Sequence, residues 1–201
     1  MTDEQMSQVL FKIIELTSLV YSKEPFWKVT EMLLRPPAKD ETIAKLSNKL
    51  PFKLPPSYLQ FLRITDGCIN FWPCFTLLGT EGEPDKAILS AIKDALDHQS
   101  KFACDSEGKL TVDSVTDFEA PKLGRYRFFL PWHIVFGTNQ EGEFLIFNEK
   151  QVLNNGEYEV VYYTYDGGAY ARFVSFPVFL EKMVEELQER INDKKYAKKK
   201  K

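Results

Sequence analysis

Few side chains in this chain are equipped to make or break bonds. There are two histidines, His98 and His133, and three cysteines, Cys68, Cys74 and Cys104. A hydrolytic nucleophile needs a serine or cysteine with a base in reach, and no GxSxG, P-loop or HExxH pattern surrounds any candidate. Gly167-Gly168 lacks the spacing of a dinucleotide loop. The cysteines are odd in number and form no CxxC pair, which suits neither a zinc site nor a disulfide framework. His98 falls at the end of an expected helix, where a partial positive charge is favourable. His133 falls in an apolar strand run and reads as a hydrogen-bonded structural residue. Two carboxylates meeting across a cleft, as glycoside hydrolysis requires, leave no linear pattern. The expectation is a protein that is not an enzyme, with no metal and no cofactor.

The remaining chemistry is that of contact. Trp72, Trp132, Tyr163 and Tyr165 stand close in sequence to Glu81, Glu83, Glu141, Glu143 and Asp166. Aromatic rings supply large contact areas at interface hot spots, and acids steer a basic partner. These nine residues are the candidate partner-binding set. Alternation along Tyr158–Tyr165 buries about every second ring, so no more than half of the set is expected to touch a partner.

Several elements must position them. Residues 3–22 carry Met6, Val9, Leu10, Ile13, Ile14, Thr17, Val20 and Tyr21 on one helical face, and Thr2 with Gln5 has the spacing of a capping box. Pro25 can open a short second helix with Phe26, Val29, Met32 and Leu33 inward, stopped by Pro36-Pro37. Residues 40–49 read as a helix capped by Asp40, with Ile43 and Leu46 or Leu50 inward. The stretch LPPSYLQFLRITDG, residues 54–67, is a helix with both ends written in sequence. Pro55 and Pro56 suit the first turn, Tyr58, Phe61, Leu62 and Thr65 recur at helical spacing, and Gly67 can take the left-handed conformation that closes a helix.

Ile69–Trp72 begins a strand that Pro73 interrupts, so a continuation through Cys74–Leu78 is bulged or on an edge. Residues 85–99 read as a helix, and a short strand is possible near Lys109–Val112. From Tyr126 onward strands dominate: Tyr126–Leu130, Trp132–Phe136, Glu143–Asn148, Tyr158–Tyr165 and Tyr170–Val174. Asn154-Asn155-Gly156 and Asp166-Gly167-Gly168 mark hairpin turns. Ser175 caps a last helix with Phe176, Phe179, Leu180, Met183, Val184, Leu187 and Ile191 inward. The economical assembly is an α+β single domain, a mainly antiparallel meander with helices on one face, its other face or a groove at its rim left open.

Leu54, Pro55, Tyr58, Phe61, Leu62 and Gly67 together resemble the opening motif of the SUKH superfamily, which includes the Smi/Knr family. Phe136-Gly137, the tyrosine-rich strand, and Ser175-Phe176 leading to Phe179-Leu180 resemble its closing half. The resemblance covers roughly residues 40–190 and leaves residues 79–124 as an insertion. It implies a SUKH-like domain over 39–192 behind an N-terminal helical extension, 1–38; the composition of residues 193–201 predicts a disordered tail. For bacterial members it implies an immunity protein: a stoichiometric binder that blocks a cognate toxin, of nuclease or deaminase type, without turnover. The alternative it implies is a regulatory scaffold or adaptor linked to cell-wall synthesis or signalling.

Charge agrees with a basic protein partner. The net charge of −3 hides a lysine-rich end: residues 194–201 hold six of the 26 basic residues, leaving 20 against 29 acidic ones, a net of −9. An acidic body disfavours nucleic acid. No apolar run approaches the ~20 residues that span a bilayer, and the N-terminus lacks a secretory pattern. The expectation is a cytoplasmic protein, monomeric or weakly dimeric, that binds neither nucleic acid nor membrane.

Overall fold

A computed structural model describes residues 1–23, 31–50, 52–72, 74–81, 133–139, 143–164 and 168–193. In chain order the elements are α1 (Asp3–Lys23), β1 (Leu33–Leu34), α2 (Asp40–Ser47), α3 (Pro56–Ile64), β2 (Cys68–Phe71), β3 (Phe75–Leu77), β4 (His133–Thr138), β5 (Phe144–Val152), β6 (Tyr158–Thr164), β7 (Gly168–Phe173) and α4 (Phe176–Asn192). Among the described residues the seven strands form one sheet in sequential order, every neighbouring pair antiparallel. The fold is α+β, with its helices on one face of the sheet.

α3 is the element on which this face is organised. Tyr58, Phe61, Leu62 and Thr65 are fully buried. The Tyr58 ring lies 5.0–5.3 Å from those of Phe61, Phe136, Phe147 and Phe176, joining α3 to β4, β5 and α4. Phe136 and Phe147 stack at 4.0 Å beneath it. The Tyr58 hydroxyl donates to the Leu78 carbonyl at 2.7 Å, which pins the exit of β3. At its C-terminal end Gly67 has φ +99°, and a Cβ there would stand 2.7 Å from the Leu77 carbonyl. Only glycine fits both demands.

The local signals at the other helices act as their chemistry dictates. Thr2 and Gln5 exchange backbone-to-side-chain bonds of 2.8 and 3.2 Å, a complete capping box for α1. The Ser175 hydroxyl accepts from the Val178 N–H at 3.4 Å. α1 packs on α3 and α4 and buries Met6, Leu10 and Ile13 in the same core. Leu16 joins that face although it lies off the expected stripe. The Asn-Asn-Gly hairpin forms between β5 and β6, Gly156 at φ +81° donating to the Leu153 carbonyl.

Three expectations change, and one pair of alternatives is decided. The short helix expected to run from Pro25 to Leu33 is not helical at its end: Leu33–Leu34 is a strand on β2, and Leu33 is 50% exposed. Pro36 holds the residue before it extended, and Arg35 N–H and the Pro36 carbonyl bond to Gly67 and Asp66. α2 is capped by Lys39 with no side-chain bond, while Asp40 accepts from Arg63 at 3.0 Å. β3 is an inner strand with a register shift against β2 between Cys68 and Phe71, so of the two readings, bulged or on an edge, the bulge holds. Finally, the face opposite the helices is not open at its centre. Val135, Ile146 and Val161, in register across three strands, are buried there. Beside them buried Glu159 binds Asn148 at 2.8 Å and pairs with Arg172, as a charge withdrawn from water must. The expected helix at 85–99, the strands near 109–112 and 126–130, and the 194–201 tail lie outside the described residues.

Candidate partner-binding rim

A meander sends alternate connections to opposite ends of its sheet. The β2–β3, β4–β5 and β6–β7 connections therefore leave from one end. That end gathers the described ends of the segments carrying Trp72, Glu143 and Tyr163.

Glu143 is the most firmly placed of them. Its Oε2 accepts from Asn139 Nδ2 at 2.6 Å and from the Tyr162 hydroxyl at 2.7 Å. Asn139 Oδ1 in turn accepts from the Glu143 N–H at 3.0 Å, closing the start of β5 onto the end of β4. A half-buried carboxylate held by two neutral donors keeps most of its acceptor capacity. Its rotamer freedom is already spent, so a cation that reaches it meets an ordered acceptor. Tyr162 is ordered from its other side by the Phe75 ring, edge-on at 5.2 Å. Tyr163 points to the opposite face, in register with Phe144 and Ala169, and is half-buried.

Trp72 does not belong to the surface. It is fully buried: its indole N–H donates to Glu186 at 2.9 Å, Arg190 lies 4.8 Å over its ring, and Tyr21 packs 5.9 Å away. Two helices from opposite ends of the chain thus close over it, and it anchors the β2–β3 turn. Neighbouring Asn70 and Cys74 take positive φ of 59° and 92° to make that turn. Glu81 is exposed but stands apart from the rim, on the connection leaving the other end of β3, where its carbonyl accepts from Arg35 at 2.8 Å. Glu83, Trp132, Glu141, Tyr165 and Asp166 lie outside the described residues. The sequence reading missed Asn139 and Tyr162, the groups that fix Glu143; the four-residue step from Asn139 to Glu143 across a turn was the available signal.

The cysteine chemistry is inert at Cys68, whose thiol burial pushes well up, the reverse of what a nucleophile needs. Among the described residues no group of three or more His, Cys, Asp or Glu side chains could hold a metal ion. None of the described helices is long and apolar enough to cross a membrane.

These features define an α+β domain on a single antiparallel meander, with one ordered acid, Glu143, held beside Tyr162 at one end. A family model described as SMI1 / KNR4 family (SUKH-1) matches residues 37–182, and the chain belongs to that family. The match begins after α1 and ends within α4. No curated protein matches the chain.

Proposed function

We propose that this protein is a non-catalytic binder of another protein, an immunity protein that occludes a cognate toxin of nuclease or deaminase type. The observation that carries the reading is family membership across residues 37–182. The acid excess of the body supports a basic partner, and the fixed Glu143 supports recognition by a preformed surface. Occlusion of this kind needs one binder per toxin and no turnover. An acidic surface can occupy the site on a nuclease that attracts phosphate.

The test is to read the neighbouring genes for a toxin-like domain and to co-express this protein with it. The expected result is relief of growth arrest, with the two chains co-purifying at one to one. Arrest that persists despite soluble expression of both, with no complex formed, overturns the reading. Recovery of several loosely held signalling or wall-synthesis proteins from the host would instead favour a scaffold.

A further inference from the structure

A cleft of about 600 Å³ lies at the opposite end of the sheet from the rim, where α1, α3 and α4 begin and the β5–β6 hairpin turns. Its walls include Asp3, Ser57, Gln60, Arg63 and Glu157, with Met1 at its edge. Glu157 is 7% exposed. Its carboxylate accepts the Ser57 N–H at 2.8 Å and the Ser57 hydroxyl at 2.5 Å, and so caps α3 from a residue a hundred positions away. It makes no ion pair among the described residues. Asp3 accepts from Gln60 at 2.5 Å, and Arg63 is turned to Asp40 at 3.0 Å.

Three helix starts would ordinarily attract an anion. Here their donors are already engaged: α3 by Glu157, α4 by Ser175, and α1 by its capping box. What Glu157 has left is acceptor capacity, in a cleft whose lining also holds Arg63 and Met1. A withdrawn carboxylate with only neutral partners gains from an arriving cation, because burial penalises its unpaired charge. The dipole of α3 offsets part of that penalty, and two carboxylate oxygens still hold unused lone pairs.

We infer that this cleft receives a lysine or arginine side chain of a protein partner, with Glu157 and Asp3 as its acceptors, an assignment that rests on the proposed reading of a basic partner. It supplies a second point of attachment at the far end of the molecule from Glu143. Neither acid belongs to the acid and aromatic set read from the sequence.

The full-length protein titrated with hexalysine peptide at low salt tests it. Backbone amide shifts should saturate at Ser57, Gln60 and Asn155. Asp3→Asn, on the exposed first turn of α1, should weaken the peptide at least threefold with no change in thermal midpoint. Glu157→Gln should weaken it at least tenfold. Shifts spread evenly over the acidic surface, or affinity unchanged in Asp3→Asn, overturn the cleft. If a toxin domain binds and both variants leave its affinity unchanged, the cleft is refuted while the proposed function stands. If hexalysine fills the cleft and no toxin domain binds, the cleft stands and the proposed function fails.

Discussion

Replacing Tyr58 by phenylalanine removes one oxygen and leaves the ring that packs among Phe61, Phe136, Phe147 and Phe176. The lost hydroxyl donates to the Leu78 carbonyl at 2.7 Å, with the Phe136 carbonyl at 3.2 Å. The Phe136 carbonyl keeps the Leu78 N–H at 2.8 Å, so the loss falls on Leu78. A neutral hydrogen bond contributes about 1 kcal/mol net, and where its loss leaves the acceptor buried and dry the cost is about 1–3 kcal/mol. A destabilisation of about 2 kcal/mol is expected. With a urea slope of about 2–3 kcal/mol/M for a chain of this size, the midpoint should fall by roughly 0.7–1 M at unchanged slope. Tyr58→Ala loses the packing as well and should cost about 4–5 kcal/mol. Equilibrium urea unfolding followed by near-ultraviolet circular dichroism reads all three proteins. A phenylalanine variant within about 0.2 M of the wild type, alongside a strongly destabilised alanine variant, would show that ring packing alone holds α3. The role assigned to the hydroxyl, pinning β3 to the core, would then be wrong.

Burial pushes both the Cys68 thiol and the Tyr58 phenol up, so each stays protonated in the fold while the unfolded chain ionises. The unfolded state then holds fewer protons above the ordinary thiol range near ~8.5, and stability falls as pH rises. From pH 8 to 10 Cys68 alone should account for about 2 kcal/mol, so urea midpoints at the two pH values should differ less in Cys68→Ala than in the wild type. Gly67→Ala meets the Leu77 carbonyl at 2.7 Å from a backbone at φ +99°. It should cost about 3 kcal/mol, seen as a fall of roughly 6–12 °C in a thermal scan. Glu143→Gln should weaken a basic partner about tenfold at low salt and little at high salt. Tyr162→Phe, which keeps the charge but frees the carboxylate, should weaken it several-fold in the same calorimetric titrations.

The features legible from sequence are those whose cause is local. Both ends of α3, the α1 capping box, the Ser175 cap and the Asn-Asn-Gly hairpin each depend on a few adjacent side chains, and a reader of the chain can see them. The strand at Leu33–Leu34 could not be seen in this way, because its partner is β2 and its geometry is imposed by pairing. Trp72 sits next to a proline in a turn, a position that suits a core residue or a rim lid as well as a contact residue; its burial depends on Tyr21, Glu186 and Arg190, from the two ends of the chain. The face opposite the helices looked open because alternation tells which residues share a face and not what buries it. At the site, the acid at 143 was legible and its fixation was not: Tyr162 reaches Glu143 only in the register that places β6 beside β5. Glu157 was invisible for the same reason, since the helix it caps begins a hundred residues earlier.

The proposed function has this domain hold a basic protein with a preformed acidic surface. The decisive measurement is isothermal titration of the purified protein, across a salt series, with a toxin-like domain found in its gene neighbourhood. The expected result is a one-to-one complex whose dissociation constant rises steadily with salt, and rises further in Glu143→Gln. No heat of binding at any salt, or a tight complex indifferent both to salt and to Glu143→Gln, would contradict it.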